Sequence, residues 1–267
     1  MKWIAKTSGE ELFLAIRDIA IPSMSAMEAS WNELQEFLAS VSGNSRYSLY
    51  FRGAMAITAM RRLLRFWADV ESFVGSEGQR IRVVSDFMRE EVFPGLERFV
   101  TTRLARLVIE ATAVTGRPIS AATRRRVLQG KTTANCYLCG FALTSAVSMT
   151  DANFLTLEHL WPSSAGGDSI DDNLLPACIR CQDDKADALS WEWLNVHNLV
   201  LPTEPSARAL TSVPRPSRVA RHYLQVMELC EGRKYTLKRG FIVAGPMSGT
   251  LTCSPTGSPI TFFDLRT

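Results

Sequence analysis

Two Cys-x-x-Cys pairs, Cys136/Cys139 and Cys178/Cys181, separated by the 38 residues 140–177, constrain this chain more than anything else in it. A thiol pair at this spacing sits on one tight turn and offers two sulfurs to one metal ion. Two such knuckles place four thiolates tetrahedrally around one Zn²⁺. A single pair would equally fit a redox motif, but no strand–helix–strand pattern surrounds either one, so structural zinc is the expectation. A closed four-sulfur site has no open position, so this zinc would fold the chain and take no part in chemistry. Cys230 and Cys253 stand alone and are expected to be plain core or surface thiols.

The rest of the chain has the composition of a folded protein. It has 267 residues, of which 46% are hydrophobic and 21% charged, which excludes global disorder. No run of 18 uncharged apolar residues occurs, so no membrane span is expected. The segment from Met1 to Glu11 has no apolar stretch followed by a small-residue cleavage site, and reads as unprocessed and cytoplasmic. The net charge of +3 is uninformative, but its distribution is not. Residues 101–135 carry +6, residues 208–239 carry +6 and residues 151–192 carry −7. An acidic centre with basic flanks suits a metal site that grips a polyanion; solvated helix faces would give the same pattern.

Residues 8–130 read as a bundle of five or six helices, a domain of about 1–130 suited to partner binding, regulation or oligomerisation. Ser8 with Glu11 forms a capping-box pattern, and Pro22-Ser23 ends that helix. Met27, Trp31, Leu34 and Leu38 recur at helical spacing, and Gly43-Asn44 marks a break. A long helix is expected over 47–74 with irregularity at Gly53. Shorter ones are expected over 80–92, 96–114 and 120–129, the last capped by Ser120. A central module of about 131–200 carries both knuckles. Residues 186–197 look helical, and 202–216 are a Pro/Ser-rich linker. A C-terminal extension, 201–267, is expected to form a helix over 216–231 and two strands, 234–244 and 259–265. The fold class is therefore α+β, mostly α.

Between the knuckles the chain reads Leu157-Glu158-His159-Leu160-Trp161-Pro162, then Gly166-Gly167, then Asn173-Leu174-Leu175, then Cys178-Ile179-Arg180-Cys181-Gln182-Asp183-Asp184-Lys185. A strand over 154–159, a loop, a strand from Asn173 and a helix over 179–190 make a β-β-α unit. Over about 134–192 the chain resembles the HNH endonucleases, the ββα-metal nucleases. The acid-His-x-x-Pro run, the glycine pair and the lysine after the second knuckle all contribute. Asn173 lies fourteen residues after His159 and Gln182 twenty-three, both offsets of that family.

The resemblance implies phosphodiester hydrolysis in DNA by a neutral imidazole and one divalent ion. His159 would be the general base, and Glu158 would bind Mg²⁺ or Mn²⁺. Asn173 would fix the loop and orient His159, and Lys185 would contact phosphate. The family places His or Asn where this chain has Gln182, so either Gln182 or Asp183 would complete the metal site. A helical region fused to such a module looks like a bacterial or phage defence or restriction-type effector. A partner protein, a homodimer and a toxin–inhibitor pair are all compatible with it. The competing expectation is a degenerate zinc module that binds nucleic acid or protein without cutting. His197 is expected to pack or cap a helix, and His222 to touch phosphate or nothing. Arg124-Arg125-Arg126 would line DNA or water.

Overall fold

The computed structural model describes residues 3–21, 47–189 and 215–247, with Asn32, Glu33, Glu36 and Glu192. The helical stripe of Met27 to Leu38, the breaks at Pro22-Ser23 and Gly43-Asn44, the Trp191/Trp193/His197 segment, the 202–216 linker up to Pro214, the strand over 259–265 and Cys253 lie outside the described residues. Helices dominate, joined by two small antiparallel sheets. Among the described residues no helix is long and apolar enough to cross a membrane. The chain divides into two compact units, each built from separate stretches of sequence.

One unit comprises Thr7–Gly116 and the short segment Ser163–Asp168. Its helices are α1 (Ser8–Ala15), α2 (Tyr47–Val70), α3 (Glu77–Phe87) and α4 (Arg98–Val114). The capping box of α1 falls one residue earlier than Ser8/Glu11. Thr7 Oγ1 accepts from Glu10 N at 3.2 Å and Glu10 Oε2 accepts from Thr7 N at 3.0 Å. Glu10 is buried and Glu11 exposed, because Ser8 is committed elsewhere: its backbone N–H and hydroxyl both donate to Asp168 Oδ2. Helix α2 runs through Gly53 without a break. Its buried face, Met60, Leu63, Leu64 and Trp67, recurs at three- and four-residue steps and joins Val84, Met88, Leu104 and Val108 in the core. Segment 163–168 is tied into this unit by Gly9 N to Gly166 O at 2.8 Å and Gly116 N to Ser163 Oγ at 3.0 Å.

The other unit comprises residues 1–6, 117–162 and 169–267. It holds α5 (Ala121–Leu128), β1 (Thr133–Asn135), β2 (Ala142–Thr144), β3 (Thr156–His159), β4 (Leu174–Ala177), α6 (Ile179–Lys185), α7 (Arg215–Arg233) and α8 (Leu237–Ala244). Ser120 caps α5, as its position before Ala121 suggests. Strand β1 pairs with β2, and β3 with β4, both antiparallel. The strand expected over 234–244 is helix α8, capped by Thr236 Oγ1 on Arg239 N at 3.1 Å. The β-branched pair Ile242-Val243 suggests a strand, yet both side chains are exposed, while Leu237, Gly240 and Phe241 face inward at helical spacing. A Cβ on Gly240 would stand 2.9 Å from Val226 Cγ1, so only glycine lets α8 approach α7 this closely.

The buried stripe of α7 includes Val219, His222, Tyr223, Val226, Met227 and Cys230. His222 is 6% exposed and its Nε2 has no hydrogen-bond partner among the described residues. Burial pulls its pKa from 6.5 to about 4, against a smaller opposing bond to the Gly245 backbone. A depressed histidine pKa contributes stability that is complete above 6.5 and lost as pH falls towards 4, here about 3 kcal/mol. Chemical denaturation of wild type and His222→Leu across that range should show the loss only in wild type; parallel curves would contradict it.

Candidate functional site

The first knuckle is the turn between β1 and β2. Cys136 N donates to Phe141 O and Gly140 N to Cys136 O, each at 2.8 Å. Gly140 sits at φ +73°, the left-handed backbone that lets the chain double back behind Cys139. The second knuckle is the step from β4 into α6: Cys178 occupies the N-cap with extended backbone, and Cys181 lies one turn into the helix. Tyr137 N donates to Pro176 O at 2.9 Å and ties the two knuckles together.

The four Sγ atoms lie within 4.8 Å of one another. Sulfurs bound about 2.3 Å from one zinc stand about 3.8 Å apart, and Cys139 Sγ and Cys178 Sγ are 3.8 Å apart. Cys136 and Cys181 are fully buried. The bond from the Cys181 thiol, aided by backbone donors, pulls Cys136 down to about 4, while Cys181, whose proton that bond holds, is driven up. One thiolate is thus already favoured, while burial pushes the Cys178 thiol up. Donor type, burial and spacing fit a metal ion such as zinc. Cys230 stands apart, buried between α7 and α8 with its thiol donating to Thr236 O at 3.3 Å.

Strands β3 and β4 and helix α6 form a β-β-α unit hung on these cysteines. Residue pairs run from Thr156↔Ala177 to His159↔Leu174. Helix α6 ends at Lys185, well short of residue 190: Ala186 adopts φ 46°, and 186–189 are turn and coil. Lys185 lies one turn after the buried Cys181 and shares its inward face of α6. Lys185 is fully buried, its Nζ donating to Glu158 Oε1 at 2.8 Å and to Ala186 O at 3.2 Å. The candidate phosphate contact and the candidate metal ligand thus form an ion pair with each other. Burial pushes Glu158 above the ordinary carboxylate range, opposed by Lys185 and by a bond from the Gln182 side chain.

Glu158 and Gln182 therefore meet, and the Asp187 carboxylate acts on both Glu158 and His159. In kind, a carboxylate and an amide oxygen suit a hard divalent ion, with the Lys185 ammonium now supplying the positive charge at Glu158. Asp183 lies exposed on α6.

The His159 imidazole, next along β3, makes its hydrogen bond apart from the Glu158–Lys185 pair. Its Nε2 is 2.9 Å from Ser169 Oγ. Burial, then the Lys185 charge, lowers its pKa below 6.5, and Asp187 partly opposes this. The imidazole is neutral at neutral pH and able to take a proton. Asn173 is buried and clips the chain two residues past His159: its Oδ1 accepts from Trp161 N at 2.7 Å, and its Nδ2 donates to Trp161 O at 3.0 Å. Its own carbonyl accepts from Leu160 N at 2.8 Å.

Sequence reasoning missed Ser169, Asp187 and the buried pair Tyr137 and Tyr223, whose hydroxyls meet at 2.6 Å. The Tyr223 ring lies 5.9 Å from Lys185 Nζ. Only Tyr223 left a signal, as part of the apolar stripe of α7. Compared with protein-family models, with curated proteins and with solved structures, the chain matches none.

Proposed function

We propose that this chain is a metal-dependent endonuclease of the HNH kind, hydrolysing phosphodiester bonds in DNA with His159 as general base. One observation carries the reading: a neutral, half-buried imidazole ends a strand whose partner strand runs straight into a helix clamped by four thiols, with Asn173 locking the intervening loop. His159 takes a proton from water, the water oxygen bonds to phosphorus, the phosphorus–oxygen bond to the leaving sugar breaks, and the leaving oxygen takes a proton from solvent while His159 returns its own to solvent. A divalent ion, Mg²⁺ or Mn²⁺, would neutralise charge on the phosphate, and Glu158 and Gln182 would hold it once Lys185 releases Glu158. The +6 stretch over residues 101–135 supports a polyanionic substrate. Zinc in the four-cysteine site is structural. A defence or restriction role, a protein partner for the helical unit and a homodimer for double-strand cuts belong to the same proposal and rest on the HNH resemblance alone.

The buried Lys185–Glu158 pair favours a second reading, a zinc module that binds without cutting, because a carboxylate already neutralised is a poor cation ligand. Plasmid incubated with the protein and Mg²⁺ or Mn²⁺, beside His159→Ala, separates the two. Nicking is expected from wild type, with at least a hundredfold loss in the variant, as removal of a general base costs about 10²–10⁴. Equal activity removes His159 from the mechanism, and an inert wild type supports the binding module.

A further inference from the structure

We propose that Ser169 is a positioning residue that holds His159 as the Nε2–H tautomer, leaving Nδ1 as the atom that accepts the proton. This rests on the nuclease reading for its consequence, but not for its geometry. Ser169 Oγ lies 2.7 Å from the Arg117 carbonyl oxygen and 2.9 Å from His159 Nε2. A carbonyl oxygen can only accept, so the single hydroxyl proton of Ser169 is spent on Arg117. What Oγ presents to the imidazole is therefore a lone pair, and a stable contact requires the hydrogen on Nε2. A neutral imidazole carries one such hydrogen, so Nδ1 is the bare nitrogen.

The far end of the relay is stiff. Arg117 precedes Pro118, whose ring restricts Arg117 to extended backbone and fixes where its carbonyl points. The near end is stiff as well, since Asn173 clips the chain beside His159. The ring is thus held from its Nε2 edge by a hydroxyl, and its Nδ1 edge makes no protein hydrogen bond among the described residues. Loss of the hydroxyl leaves the Arg117 carbonyl beyond direct reach and frees the ring both to exchange tautomers and to rotate away from the orientation in which Nδ1 accepts a proton.

The chain has only three histidines, so two-bond ¹H–¹⁵N correlation spectra of the full-length, ¹⁵N-labelled protein give a readable pattern for His159. Wild type should show a protonated Nε2 and a bare Nδ1. Ser169→Ala should move both nitrogens towards a mixture, and Ser169→Thr should restore the wild-type pattern. In the plasmid assay Ser169→Ala should lower kcat by about 10- to 100-fold with KM little changed, and Ser169→Thr should recover it. A protonated Nδ1 in wild type, or a spectrum unmoved by Ser169→Ala, overturns the proposal. The expected spectra with an inert wild type would uphold the tautomer and sink the nuclease reading instead.

Discussion

Freshly purified protein should carry about one zinc per chain, and stripping it with a strong chelator should collapse the β-β-α unit. The magnitude follows from the donors. Four sulfurs within 4.8 Å, most of them buried, cannot all ionise unless a cation shares their charge. Structural zinc in small four-ligand domains is worth about 10–16 kcal/mol, more than the whole stability of an ordinary domain. The short strands and seven-residue α6 have little else to hold them. Cys181→Ser, which removes a fully buried ligand, should match the chelated protein. Elemental analysis and thermal unfolding with and without chelator check this. Absence of metal together with an unchanged Tm would refute the site.

Lys185→Met should cost about 3–5 kcal/mol, because it strands the Glu158 carboxylate, 6% exposed, without its cation. Replacing both residues, Glu158→Gln with Lys185→Met, should recover most of that loss, since no lone charge is then left inside. The two single variants and the double, measured by denaturant titration, form a cycle. A Lys185→Met change below about 1 kcal/mol would mean that the pair is solvated, as at a surface. The same cycle bears on function: a Glu158 freed of Lys185 should bind Mn²⁺ more readily if it is a metal ligand at all.

The features legible in the sequence were those encoded by spacing. The two Cys-x-x-Cys turns, the strand ending at His159 and the cap at Ser120 are local patterns, and the structure has them where residue types put them. What escaped depends on partners distant in sequence. Ser8 fits a cap as well as Thr7 does, but Asp168, 160 residues away, takes its donors. Phe241-Ile242-Val243 resembles a strand until Cys230 and Val226 press on Gly240. The four-residue step from Cys181 puts Lys185 on the inner face of α6, but its partner Glu158 lies 27 residues away on β3 and leaves no local signal. Ser169 has no local distinction and matters only because the Arg117 carbonyl, 52 residues away, lies beside it.

The stretch joining His159 to Asn173 is lent, over Ser163–Asp168, to the helical unit, where the backbone of Gly9 and the Ser8 donors hold it. No single cut in the polypeptide frees either body intact. A recombination event that transplanted only the cysteine-bearing stretch would carry away a strap with nothing to buckle it. Inheritance of the two units is therefore bound together by chain path, whatever chemistry each performs.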